Sequence, residues 1–316
     1  MYLTLTINPS IDYFVDLPSG VTLVTGSEDA PAVNRSKSES FEAGGKGINV
    51  AKVLNRLVGK GSVTATGFTA GFTGAEISRN VESEGIVSRF IEVAGHSRIN
   101  MKVKDGQGIE TEINGAGPEI APGDITRLIN TICQTEFDTL FISGSLPASC
   151  QTDTYALIIK AVLEQDPSVR IITDCEGEAM LKCLHLKPYL IKPNAHELAR
   201  LTGMDITTSS SLPELRAAAD RLISWGAQNV LVSLGGNGAC LLTGDGVFLQ
   251  SSGISGDVVS TIGAGDTMIA SFIYMLDRSH DYRKALDFSN ACAARAAFGQ
   301  GLPSASVLSE IIKEFS

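Results

Sequence analysis

The sequence predicts an α/β fold, a three-layer α/β/α domain with a mainly parallel central sheet and a small β-sheet lid. Three observations predict it. Strand-like runs alternate with helical patterns along most of the chain, the rhythm of βαβ units whose parallel sheet is covered on both faces. Glycine-rich segments stand where strand-like runs end and helices begin, which is where open α/β sheets bind ligands. Two discontinuous segments, about 11–41 and 88–114, carry short alternating or polar runs that suit a small separate sheet.

The elements follow in order. The alternating Tyr2-Leu3-Thr4-Leu5-Thr6-Ile7 forms a first strand. Residues 11–41 contain Pro18, Gly20, Gly26 and Pro31, which favour strands and turns over helix. A helix over about 46–58 is marked by Val50, Val53, Leu54 and Leu57 at helical spacing, followed by a strand at 62–67 and a helix at about 73–84. The runs 99–104 and 108–113, separated by Asp105-Gly106-Gln107, read as a hairpin. From about Pro122, strands recur at 139–143, 169–173, 189–192 and 230–234 with helices between them. A hairpin-like stretch at 238–250 precedes two helices, about 265–276 and 282–298. No internal repeat, low-complexity tract or long linker divides the 316 residues, so they read as one domain.

Composition narrows the function. A hydrophobic content of 43% supports a substantial core. The formal net charge of −10, with no run of Lys and Arg, excludes non-specific nucleic-acid binding, and any basic pocket must be local. Lys46, Arg98, Lys102 and Lys192 form such a pocket only if the fold gathers strand ends. Six cysteines without a C-x-x-C pair read as reduced core residues, and four histidines without ligand spacing argue against zinc; His196 reads as an ordinary exposed residue. The N-terminus lacks the charged-then-apolar pattern of a leader, and no stretch of about 18 apolar residues occurs, so a soluble cytoplasmic protein without membrane partners is expected.

Two glycine clusters carry the chemistry. In Gly263-Ala264-Gly265-Asp266 a helix begins, and its first N–H groups together with the helix dipole can hold an anion. Asp266 beside that anion can accept a proton from an attacking hydroxyl, although a plain helix cap is the simpler reading. The second cluster, Gly44-Gly45-Lys46-Gly47 with Asn49, opens the helix at 46–58, its polar groups toward a ligand and its apolar stripe toward the core. Arg98-Ile99-Asn100, Ser143-Gly144-Ser145-Leu146-Pro147 and Lys192-Pro193-Asn194 end strand-like runs between them. The chain has no G-x-x-x-x-G-K-[ST], no strand-following G-x-G-x-x-G and no protein-kinase signatures, so a nucleotide site must be built otherwise.

These segments, with Asn8-Pro9-Ser10-Ile11-Asp12, Thr111-Glu112-Ile113-Asn114-Gly115 and Ser233-Leu234-Gly235, occur in an order that resembles the PfkB branch of the ribokinase-like sugar kinases over nearly the whole chain. Within it the chain is most similar to the kinases of fructose 1-phosphate. The resemblance implies transfer of the γ-phosphoryl group of ATP to O6 of D-fructose 1-phosphate, giving fructose 1,6-bisphosphate and ADP. A tagatose-6-phosphate kinase is the close rival, and a catalytically silent sugar-phosphate sensor is a reading from another class. ATP is expected across Lys192 and Asn194, Ser233, Gly235 and Gly238, Ser260 to Gly265, and Asn290. Glu197, three residues after Asn194, is expected to organise Mg²⁺ through water, with Asn194 as a helix cap the modest alternative. Related kinases place a monovalent cation such as K⁺ in the loop before Gly263.

On the sugar side, Asp12 and Asn49 are expected to hold hydroxyls beside Gly44, Gly45, Lys46, Asn100 and Ser145. Arg98 is expected to pair bidentately with a phosphate, the alternative being a salt bridge within the lid. Asp266 is expected to act as base, weakened because a helix N-terminus favours its ionised form. Lids in such kinases often form a dimer interface, and Arg35 would reach substrate or a partner subunit. Thr267 in place of serine, Cys175-Glu176 within Asp174-x-x-Gly177, and the long stretch from Ser19 to Ala32 depart from the family pattern.

Overall fold

A computed structural model describes residues 1–26 and 32–315. Part of the stretch from Ser19 to Ala32, residues 27–31, lies outside them. The chain runs β1 (Tyr2–Thr6), β2 (Ser10–Asp16), β3 (Ser38–Gly44), α1 (Lys46–Val58), β4 (Val63–Ala70), α2 (Gly71–Ser83), β5 (Val87–Val93), β6 (Arg98–Lys104), β7 (Glu110–Asn114), α3 (Pro122–Cys133) and β8 (Thr139–Ser143). It continues through α4 (Thr154–Gln165), β9 (Arg170–Asp174), α5 (Gly177–Leu184), β10 (Leu190–Ile191), α6 (Ala195–Thr202), α7 (Leu212–Ser224), β11 (Asn229–Ser233), β12 (Gly238–Thr243), β13 (Phe248–Ser252), α8 (Ala264–Ser279), α9 (Tyr282–Ala297) and α10 (Ala305–Glu314).

Nine strands form one sheet in the order β13-β12-β11-β10-β9-β8-β1-β4-β5, and every pairing is parallel except β11 with β12 and β12 with β13. Each central strand is buried on both faces, as a strand's two-residue period requires between two helical layers. On β8, Leu140 and Ile142 join one core cluster and Phe141 the other; on β11, Val230 and Val232 separate from Leu231 in the same way. One cluster packs the apolar residues of α3 to α7, and the other packs those of α1, α2, α8, α9 and α10. Among the described residues no helix is long and apolar enough to cross a membrane.

The chain leaves β1 in one direction toward β4 and β5, then returns to build β8 to β11 on its other side. This reversal opens a crevice beyond the carboxyl ends of β1 and β8, where an open sheet places its ligand site. Four strands in the order β3-β2-β6-β7 form the small separate sheet over that crevice. The segment expected to enter this lid at residue 88 enters it at Arg98, because β5 pairs in parallel with β4 and forms the edge of the large sheet. Its alternation, half polar and half apolar, is common to an edge strand and a lid strand, so sequence did not separate them.

Candidate active site

The start of α8 is built for close approach by an anion. Gly263 precedes the helix with a left-handed φ of 75°, and a Cβ there would stand 2.5 Å from Leu302 Cδ2, so glycine is required on two counts. The Ala264 N–H donates to Thr261 O and the Thr267 N–H to Gly263 O, leaving Gly265 and Asp266 as first-turn donors with no intrahelical acceptor. Asp266 is 6% exposed and accepts a hydrogen bond from Asn49 Nδ2 at 2.8 Å. The expectation of a weakened base is corrected here. Burial, then the charge of Asp174, pushes the Asp266 carboxyl up to about 6 against the opposing pull of Asn49, Lys192 and Lys46. Desolvation outweighs the helix dipole because the carboxyl is withdrawn from water while the dipole contributes only partial charge.

Opposite α8, the glycine cluster leads into α1 and brings Lys46 to the strand ends. Its ammonium lies 3.5 Å from Asp174, 3.2 Å from Glu176 and 3.8 Å from Glu197. Burial alone would lower this lysine, but the carboxylates of Asp174, Glu197, Glu176 and Asp266 hold it above its ordinary value. Lys192, 4% exposed, pairs with the other oxygen of Asp174 at 3.3 Å and stands 3.0 Å from where a Cβ of Gly265 would be. Burial would raise the Asp174 carboxyl, yet Lys192 and Lys46 outweigh it and hold it low. Asp174 and Glu176 were not read as site residues in the sequence. The available signal was an Asp-x-x-Gly at the end of a strand, immediately before a helix.

The lid contributes a third wall. Asp12 Oδ1 accepts from Ser10 Oγ at 2.7 Å and from Asn100 Nδ2 at 2.9 Å, while Lys102 Nζ donates to Oδ2 at 3.0 Å. A Cβ at Gly44 would stand 2.5 Å from the Asp12 carboxyl carbon, which fixes how closely β3 can meet β2. Arg98 donates through Nε to Asn8 O at 3.1 Å. The lid salt bridge weighed as an alternative finds no carboxylate partner among the described residues. Between lid and body lies a cavity of about 250 Å³ lined by Asp12, Gly44, Asn49, Lys102, Ser260 and Gly263, among others.

Several residues expected at the nucleotide are committed locally. Asn194 caps α6, its Oδ1 accepting from the Glu197 N–H while Glu197 Oε2 accepts from the Asn194 N–H, both at 2.8 Å. The modest alternative for Asn194 is thus observed. Asn290 donates to Ser251 Oγ at 3.1 Å and Ser252 O at 2.7 Å, which ties α9 to β13. Gly238 turns the chain into β12, whereas a Cβ at Gly235 would meet open space. Ser233 bridges to Asn194, and Ser260 lines the lid cavity. Ser145 is exposed after β8, and Gly45 precedes α1 as its N-terminal cap. Among the described residues no group of three or more His, Cys, Asp or Glu side chains could cage a metal. Glu197 Oε1, outside the cap, lies 3.8 Å from the Lys46 ammonium, so Glu197 fits a Mg²⁺ held chiefly by phosphate oxygens and reached through water.

The sequence matches the pfkB family carbohydrate kinase model over residues 8–306. The chain belongs to the pfkB family of carbohydrate kinases. It is therefore a phosphotransferase with a carbohydrate acceptor, on the ribokinase-like fold expected from sequence. It is 35% identical to a 1-phosphofructokinase of Bacillus subtilis (strain 168), covering 99% of this chain and 98% of the relative. A D-tagatose-1-phosphate kinase of Bacillus licheniformis is also 35% identical, over 98% and 97%. Phosphofructokinase-2 from Escherichia coli, solved in complex with fructose-6-phosphate, superposes with a TM-score of 0.86 at 26% identity, covering 99% of this chain and 98% of that one. The same enzyme has been solved in complex with potassium, with a TM-score of 0.87 at 27% identity.

Proposed function

We propose that this pfkB kinase transfers the γ-phosphoryl group of ATP to O6 of D-fructose 1-phosphate, releasing fructose 1,6-bisphosphate and ADP. One observation carries the reading: Asp266, hydrogen-bonded to Asn49, sits where the open amides of α8 meet Lys192 and the cavity under the lid. As O6 attacks phosphorus and the bond to the β-phosphate oxygen breaks, Asp266 takes the hydroxyl proton. The Gly265 and Asp266 amides stabilise the charge on the transferring group. Lys192 and Lys46 add positive charge, and Asp12, Asn49 and Asn100 hold sugar hydroxyls. Arg98, which pairs with no carboxylate among the described residues, reads the sugar's own phosphate. Glu197, through water, would help hold a Mg²⁺, which when bound would supply neutralisation of phosphate charge.

The near-equal relatives named for fructose and tagatose 1-phosphates favour a ketohexose 1-phosphate as the substrate class. They weigh against the tagatose 6-phosphate reading, since the tagatose relative is named for the 1-phosphate. The potassium complex of the related structure supports K⁺ in the loop before Gly263. An assay of ADP release with fructose 1-phosphate, tagatose 1-phosphate, fructose 6-phosphate, tagatose 6-phosphate and free fructose tests the substrate. Fructose 1-phosphate is expected to give the highest kcat/KM, and preference for a 6-phosphate or a free sugar overturns the assignment.

A homodimer through the lid is part of the same reading. On the lid face away from the cavity, Phe41, Tyr13, Met101 and Ile113 align across all four strands. Phe41 and Ile113 are 57% and 61% exposed, an apolar row that a second copy would cover. Sedimentation of the wild type and of Phe41→Lys tests it: a dimer that the substitution dissociates is expected, and a wild-type monomer overturns it.

A further inference from the structure

Helix α1 carries one lysine for which the proposed chemistry has no use. Lys52 is 1% exposed, one of the largest fully buried side chains in the molecule. A buried ammonium persists only where hydrogen bonds and opposite charge replace its water. Here Nζ donates to Ala43 O at 2.8 Å, lies 3.3 Å from Glu42 and lies 3.7 Å from Glu84. Ala43 and Glu42 belong to β3, and Glu84 follows α2. The buried end of Lys52 therefore joins the lid to two helices of the body.

Its position on α1 is not isolated. Lys46, Asn49, Lys52 and Arg56 recur at intervals of three and four, so they share one ridge of the helix. Each touches a different wall of the site. Lys46 meets the strand-end carboxylates, and Asn49 meets Asp266 on α8. Lys52 meets the end of β3. Arg56 pairs with Glu84 at 3.0 Å and donates to Pro303 O at 3.1 Å, next to the Leu302 that abuts Gly263.

The clamp on β3 acts where the sugar is held. In the lid ladder Ile11 opposes Ala43, Asp12 opposes Glu42 and Ser10 opposes Gly44, so the Lys52 contact fixes the backbone that faces Asp12. We propose that Lys52 is a positioning residue for sugar binding, anchoring the end of β3 so that Gly44 and Asp12 keep their mutual placement. This rests on the reading of Asp12 as a sugar ligand. The sugar KM of Asp12→Asn, with Lys52 intact, tests that reading, so the two can fail separately.

The variants are Lys52→Met, which keeps the length of the stem, and Glu84→Gln, which weakens the clamp from a residue outside the cavity. Lys52→Met strands no deeply buried charge, since Glu42 is half exposed and Glu84 keeps Arg56. Steady-state kinetics and amide hydrogen exchange are read on both. In Lys52→Met the KM for fructose 1-phosphate, or for the best sugar in the wild-type assay, rises at least tenfold while the KM for ATP stays within twofold. Amides of β3 exchange at least tenfold faster while those of α8 are unchanged. Glu84→Gln shows the same pattern at about threefold. Sugar and ATP constants moving together, or β3 exchange matching wild type, overturn the proposal. If Lys52→Met fails to fold, the Glu84→Gln split and its β3 exchange decide alone.

Discussion

The two helices opened by glycine clusters, α1 and α8, meet at Asn49 and Asp266 yet serve the site in opposite ways. From Asp266 to Leu276 every residue of α8 is buried, so only its first turn faces ligand, and it offers backbone amides and a single carboxylate. α1 is amphipathic, with an apolar side in the core and a polar ridge that touches four walls of the site. One helix presents an end, the other a flank. An end can be tuned only through glycine and its capping geometry, whereas a flank distributes the work over side chains three or four residues apart.

Substitutions break this comparison in a graded way. Asp266→Asn removes the one side chain the α8 end provides, and turnover is expected to fall by about 10³-fold while ATP affinity holds, as loss of a general base predicts. Single-turnover rates and nucleotide titration check it. The same variant reads the cost of burying that charge. Because the folded carboxyl titrates near 6, above its ordinary 3.8, the folded state binds a proton more tightly than the unfolded chain. Stability from this group is present below about pH 4 and lost as pH rises through 6, so Asp266→Asn should melt higher than wild type at pH 7.5, with no gain at pH 4.

Lys46→Met tests the flank. It strips a cation from Asp174 and Asp266, so both carboxyls must rise. The acid limb of kcat/KM, expected near pH 6 in the wild type, should move upward in the variant as the rate falls by about 10²-fold. An unmoved limb would show that the limb does not report Asp266. Gly265→Ala returns to the end: its Cβ would crowd the buried Lys192 ammonium, and nucleotide affinity should weaken about tenfold, or about 1.4 kcal/mol, by calorimetry. Asn49→Ala, which removes one hydrogen bond between the two helices, should cost about 1 kcal/mol of stability by denaturant titration.

The same contrast explains what could be read from sequence. Helix α1 was legible to the residue, 46–58, because Gly45 marks its start and its apolar positions keep a helical period. The gathering of Lys46, Asn49, Lys192 and Asp266 was also legible, since strand ends and glycine-opened helices converge in a parallel sheet. The charge state of Asp266 was not, because it depends on burial by elements remote in the chain. Asp174 and Glu176 were passed over because a carboxylate at a strand end carries no mark until a lysine from another helix is placed against it. Edge strand β5 was drawn into the lid because its polar alternation is ambiguous. Helix α10, although amphipathic, follows Pro303 with no feature that tied it to the site.

The Leu302 contact beneath Gly263 has a consequence for how the enzyme comes into being. Residues 300–303 follow every strand of both sheets in the chain. A growing polypeptide can therefore pair all its strands on the ribosome while the floor under its phosphate cradle is still unmade. The phosphate cradle thus gains its floor only after every strand of both sheets has been made.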